Sequence, residues 1–171
     1  RTNSQESPVK PVRFGRFHIL GAVFAAVFAV SGSAASAEEF GDAQSCLDTR
    51  IEANEPVADC VNEVQATCMS FDAPSFAGAD CYRRAKDHWG GLISARMERI
   101  EGMASEELAA IAGIEVKYDL KLNLMQCDRM EELSLVRKDP DDETVYTRMR
   151  CEATAVGLAY AKLYYQSGGM R

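Results

Sequence analysis

Six cysteines are the residues of this chain whose types and spacing point most clearly to chemistry. They are Cys46, Cys60, Cys68, Cys81, Cys127 and Cys151. An even number of cysteines in a short exported chain is typical of a disulfide framework. Metal binding would require a close pair such as Cys-x2-Cys, and none of the spacings provides one. We therefore expect structural disulfides, no metal and no cofactor.

The spacing of the cysteines does not select one of the fifteen pairings that six cysteines allow. We favour the pairs 46–60, 68–81 and 127–151, which close loops of about 13 to 24 residues. On the chain-entropy model, a cross-link of this length removes about 3 kcal/mol of unfolded-state entropy.

The candidates for catalysis other than cysteine are His88 and three runs of carboxylates. A catalytic histidine needs a nucleophile and an orienting carboxylate, and the sequence has neither a Gly-x-Ser-x-Gly motif nor a cysteine–histidine arrangement. Glycosidase chemistry needs two carboxylates across a cleft. The acidic residues at 106–107, 131–132 and 141–143 instead lie near helix starts or on helix faces, where they favour the dipole or stay solvated. We expect His88 at the surface or its boundary, and we do not expect an enzyme.

Residues 1–37 have the organisation of a secretory leader. Arg13 and Arg16 form a positive region, residues 19–30 are an apolar run of twelve, and Ala35-Ser36-Ala37 is a cleavage signature. A spanning helix needs about 20 apolar residues, so the run fits a signal peptide better. We predict cleavage after Ala37 and a single periplasmic or secreted domain over residues 38–171. Retention of the leader as a membrane anchor is the alternative.

Removal of the leader makes the remaining chain strongly acidic. Lys and Arg together fall from 19 to 15 and Asp and Glu from 26 to 25, which leaves a net charge of −10. Such a surface repels nucleic acid and anionic membranes, and its long-range field favours a cationic protein partner. The simpler explanation of the charge is solubility.

The positions of the apolar residues predict helices throughout the chain after residue 45, including one over residues 57–68 and a central one with Cys81 in its first turn. Residues 38–45 are polar, and we expect them to be frayed. The central stretch has Cys81, Ala85, Trp89, Leu92 or Ile93, Met97 and Ile100 on one stripe. A longer helix begins after Ser105, with Leu108, Ile111, Ile114, Tyr118, Leu122, Met125 and Met130 at spacings of mainly three and four. The last helix follows an Asp139 cap, with Tyr146, Met149, Ala153, Val156, Tyr160 and Leu163 as its stripe. An apolar stripe of this kind is expected to face a core. No run alternates as strands do, so we predict an all-α fold, a small disulfide-stapled bundle of antiparallel helices.

One loop of the chain could bind a partner. Residues 70–78 carry Phe71, Asp72 and Phe76, with Asp80 just beyond them, and a disulfide between Cys68 and Cys81 would join the ends. A loop held in this way loses little entropy on docking, so these four residues are the candidate partner-binding set. The alternative is that both phenylalanines cover the end of the bundle.

In this arrangement of cysteines and helices, the chain resembles the LprI-like family of exported, all-helical, disulfide-bonded proteins, which is named for a lysozyme inhibitor. The resemblance rests on Ser45-Cys46-Leu47, Asp59-Cys60-Val61, Ala66-Thr67-Cys68-Met69, Trp89 eight residues after Cys81, and Cys151-Glu-Ala-Thr154. It implies inhibition of a cationic lysozyme through an acidic rigid surface. An accessory subunit on the periplasmic face of a membrane complex is the alternative.

The chain also departs from the family pattern in three places. The family's Trp and Tyr-Arg pair before the cysteine matching Cys127 are missing from residues 118–126. Asp139-Pro140-Asp141 replaces its Gly-Gly-Ser/Thr tract, and no Arg follows soon after Thr154. No inhibitory residue can therefore be transferred by motif.

Overall fold

A computed structural model describes residues 39–71 and 74–168. Five α-helices and one 3-10 helix make up this part of the chain, which contains no strand. They are α1 (Ala43–Glu52), α2 (Asp59–Val64), the 3-10 helix (Ala66–Ser70), α3 (Phe76–Met103), α4 (Glu106–Leu135) and α5 (Asp142–Gln166). The predicted all-α class is confirmed. The predicted leader over residues 1–37 lies outside the described residues.

The last helix, α5, lies at the centre of the fold and packs against each of the other α-helices. It runs antiparallel to α4, where the disulfide partner of Cys151 is Cys127 and Lys162 pairs with Asp119. It runs parallel to α3, because Tyr146 near its start contacts Tyr82 near the start of α3, and Ser167 just after its end contacts Arg96 near the end of α3. Trp89 is fully buried between the two helices, beside Tyr160. The predicted stripes of α3 and α5 therefore form the core.

Three disulfides fix the helices to one another. They join Cys46 to Cys60, Cys68 to Cys81 and Cys127 to Cys151, the pairing favoured above. The first links α1 to α2, the second links the 3-10 helix to α3, and the third links α4 to α5. All six cysteines are used. Three such bridges are typical of an oxidising, extracellular or periplasmic environment.

Side-chain caps explain where the longer helices begin. Ser75 accepts a hydrogen bond from the Gly78 amide, so α3 begins at Phe76 and Cys81 lies in its second turn, not its first. α3 also continues without interruption through the glycine pair at 90–91. Asp141, rather than the predicted Asp139, caps α5, because its carboxylate accepts hydrogen bonds from both the amide and the hydroxyl of Thr144. These bonds, with those of Lys138, lower the pKa of Asp141 to about 2.

The N-terminal part of the domain differs from the prediction in two ways. Residues before 46 were expected to be frayed, but Phe40 is buried and the Gly41 amide donates to the Val64 carbonyl. The expected single helix over residues 57–68 is instead α2 followed by the 3-10 helix. Gln65 separates them and is itself buried.

The predicted stripe of α4 faces away from the core, and the expectation that it would face inward is wrong. Its side chains are 38% to 61% exposed. We call this surface the outer face: Leu108, Ile111, Ile114, Tyr118, Leu122, Met125, Met130 and Leu133. The side that packs against the core uses smaller residues, with Ala109, Val116 and Cys127 buried and Leu120 and Leu124 partly buried. α4 thus has two apolar stripes, and the buried residues of its core side are smaller than the residues of the outer face.

Among the described helices, none combines the length and the apolar composition that crossing a membrane requires.

Candidate binding surface

The disulfide-closed segment between Cys68 and Cys81 places two phenylalanines in different environments. Phe76 is the first residue of α3 and is 70% exposed. Phe71 is half-buried and packs against the core. Asp72, one of the two acidic residues in the candidate set, lies outside the described residues. One phenylalanine of this segment is therefore exposed, and the other packs on the bundle.

Phe76 is held in place by its neighbours along the chain. The Ser75 cap and the Cys68–Cys81 disulfide fix the first two turns of α3. Gly78, in the same turn, lies so close to the Tyr146 ring that an added Cβ would be 2.8 Å from it. An exposed aromatic ring on such a rigid turn loses little entropy when it docks, so Phe76 has the properties of a binding anchor.

The charge of Asp80 is shared by two arginines. Arg83 donates to one carboxylate oxygen at 2.9 and 3.0 Å, and this hydrogen bond is the main cause of the lowered pKa of Asp80. Arg84 pairs with the other oxygen and also with Glu39, at 2.7 Å. Asp80 therefore presents a compensated charge beside Phe76.

A hollow of about 430 Å³ lies beside this surface, and His88 forms part of its wall. The His88 ring is 5.2 Å from that of Phe40 and 5.9 Å from that of Trp89. Its Nε2 is buried without a hydrogen-bond partner in the described part of the chain. Burial lowers the pKa of His88 and so favours the neutral imidazole. The hollow is also lined by Asp87 and Arg84, which are both in ion pairs.

A charged network between the helices was not found by sequence reasoning. Glu152 of α5 is 8% exposed and accepts hydrogen bonds from Lys86 of α3 and Arg148 of α5, each at 2.8 Å. Arg148 continues to Glu131 and Asp128 of α4. Burial opposes ionisation of Glu152, but the two hydrogen bonds outweigh it and lower its pKa. Lys86 and Glu152 are 66 positions apart, so no local pattern reveals their contact.

One group of metal-ligand atoms occurs in the described ranges. The sulfurs of Cys46 and Cys60 lie close to a carboxylate oxygen of Glu63. The two sulfurs are bonded to each other, so they offer no thiolate to a metal.

Comparison with known proteins gives no family for this chain: no family model, no curated protein and no solved structure matches it.

Proposed function

We propose that this chain is an exported binding protein that acts by occupying a protein partner, and that the partner is a cationic lysozyme-type glycosidase. The observation that carries the proposal is Phe76, an exposed aromatic ring on a helical turn fixed by a disulfide. The resemblance to LprI-like proteins supplies the class of partner. Cleavage after Ala37 belongs to the same proposal.

The mechanism follows from charge and rigidity. A chain with a net charge of −10 after cleavage attracts a cationic enzyme over a distance of about a Debye length, roughly 8 to 10 Å at physiological ionic strength. Once the two are in contact, the Phe76 turn would enter the sugar-binding cleft and exclude the polysaccharide. No covalent step is needed, because the inhibitor only has to block access.

The test is inhibition of lysozyme by the oxidised protein at low and at moderate salt. We expect dose-dependent inhibition that weakens as salt rises, because screening reduces the association rate. Reduction of the disulfides should abolish it. An absence of inhibition at tens of micromolar would rule out the enzyme class and favour the accessory-subunit alternative.

Two variants test whether Phe76 is the binding anchor, separately from whether the protein inhibits lysozyme. Phe76→Ala should weaken inhibition at least about tenfold, as loss of an aromatic anchor does. Tyr165→Ala is the matched control, since Tyr165 is 61% exposed near the end of α5, and it should leave inhibition unchanged. Full inhibition by Phe76→Ala would leave the function standing and reject Phe76 as the anchor.

A further inference from the structure

The outer face of α4 holds eight of the sixteen exposed large hydrophobic residues on the described surface. Its eight side chains follow one side of the helix from Leu108 to Leu133, a distance of about 37 Å at 1.5 Å per residue. A typical monomer exposes no apolar patch above roughly 300 to 600 Å², and larger ones mark interaction sites. α5 covers the opposite side of α4, so within the described residues the outer face is left exposed.

Five of the eight residues of the outer face are arranged symmetrically about Leu122, namely Leu122 itself and two pairs, whereas Tyr118 and Met125 have Gln126 and Asp119 as counterparts. Ile111 and Leu133 are each 11 positions from it, and Ile114 and Met130 are each 8 positions from it. If two copies of α4 packed antiparallel with Leu122 against Leu122, each of these residues would meet its apolar counterpart. A two-fold interface requires this self-complementarity, because the same patch must serve both sides.

Two pairs of charged residues follow the same symmetry, one within α4 and one formed with Arg137 just after its end. Glu115 and Arg129 are each 7 positions from Leu122, are both exposed, and lie on the side of α4 that carries the outer face. Glu107 and Arg137 are each 15 positions from it. In the antiparallel register every one of these acidic residues lies opposite an arginine. No charged residue of α4 lies directly opposite one of like charge.

We propose that a second copy of this chain covers the outer face, forming a two-fold dimer in which the two α4 helices pack antiparallel about Leu122. The available area is sufficient for such a dimer. The outer face and Val136 together have nine apolar side chains that are about half-exposed on average. They present on the order of 800 Å², which is the area that each partner of a standard interface contributes. The acidic charge of the chain disfavours an anionic membrane as the occupant. This inference is independent of the proposed inhibition.

The first test is the oligomeric state of the oxidised full chain, recovered after export, by sedimentation equilibrium from about 1 to 100 μM. We expect a dimer. Leu122→Glu should raise the dimer dissociation constant about 100-fold or more, because each dimer buries two copies of this side chain. Its fold should be unaffected, since Leu122 is 59% exposed in the monomer. Met69→Glu is the matched control at 56% exposure and should not change the association.

Two cysteine variants and a charge exchange test the register. Under mild oxidation Leu122→Cys should form a disulfide between copies, because the symmetry axis passes through this position. Leu108→Cys should not, because its counterpart is Val136. Glu115→Arg alone should weaken the dimer, and adding Arg129→Glu should restore it.

Three results would overturn the proposal. One is a protein that stays monomeric at 100 μM. A second is a dimer that Leu122→Glu leaves intact. The third is cross-linking through Leu108→Cys but not Leu122→Cys. A monomer that binds uncharged lipid vesicles through the outer face would assign that face to a membrane surface instead.

Discussion

Gly157 shows how closely single residues are fitted in the core. It lies in the middle of α5, where an added Cβ would be 2.7 Å from a methyl group of Val61 and 3.0 Å from the Trp89 ring. Only a residue without a side chain allows Trp89 to pack this close to α5. The requirement overrides the low helix propensity of glycine.

Two glycine variants test this close packing, because we expect them to change the free energy of unfolding in opposite directions. Gly157→Ala should destabilise the protein by roughly 1 kcal/mol, since overpacking outweighs the gain in helix propensity. Gly90→Ala should stabilise it by roughly the same amount, because nothing lies within 4 Å of the added Cβ. Urea unfolding with the disulfides intact measures both. Stabilisation by Gly157→Ala would show that α5 and Trp89 are less tightly packed than described.

His88 links stability to pH at the same scale. Its folded-state pKa is below the ordinary value of 6.5, so the unfolded chain binds the proton more readily. We expect the free energy of unfolding to fall as the pH drops below about 6.5, and to level off below the folded pKa. His88→Gln should remove this part of the profile between pH 7.5 and 5.5. An identical slope in both proteins would assign the dependence to other groups.

At the scale of helices, Glu152 joins α3, α4 and α5 through its two basic partners. Glu152→Gln should cost roughly 2 kcal/mol, less than for a fully buried pair because Lys86 and Arg148 are each about one-third exposed and can rehydrate. Folding lowers the pKa of Glu152 from its ordinary value of 4.5. The contribution of Glu152 to the free energy of unfolding is therefore complete above pH 4.5 and is lost as the pH falls through the pKa of the folded state. Glu132→Gln changes an exposed carboxylate beside the network. It should lower the free energy of unfolding by less than about 0.5 kcal/mol, as most surface substitutions do. Equal effects of the two variants on chemical unfolding at pH 7 would contradict this role.

Helices could be predicted from the sequence where the determining signal is local, whereas the disulfide pairing was favoured without being selected by the cysteine spacing. Ser105 caps α4 as expected, and the stripe of α5 lies in the core because no other side of that helix is comparably apolar. The start of α3 was placed too late, because Phe76-Ala-Gly carries no helical periodicity and only the Ser75 hydrogen bond defines it.

The orientation of α4 could not be predicted in the same way, because two of its sides are apolar. Periodicity shows that a stripe exists and not which neighbour covers it. Larger residues suggested the core side, yet α5 approaches closely enough to favour Ala109 and Val116. The useful signal was the presence of two stripes on one helix, which indicates two packing partners. Of the candidate site, Phe76 was identifiable from the sequence, whereas the arginines that compensate Asp80 became apparent only through side-chain geometry.

At the scale of the molecule, the two proposed interfaces are on different helices and use different physics. The Phe76 turn opens α3 and depends on the overall acidic charge to attract a partner. The outer face belongs to α4 and depends on apolar contact between identical surfaces. In the described part of the chain, α5 packs between α3 and most of α4, so a change on one interface leaves the other in place.

This separation predicts that the two functions can be lost independently. Leu122→Glu should convert the protein to a monomer and leave lysozyme inhibition per chain unchanged. Phe76→Ala should weaken inhibition and leave the sedimentation of the dimer unchanged. Both follow because neither residue contributes to the core: each is more than half-exposed. Parallel loss of dimer and inhibition in the Leu122→Glu variant would mean that the partner is bound by two chains together, and the inhibitory surface would then have to include α4.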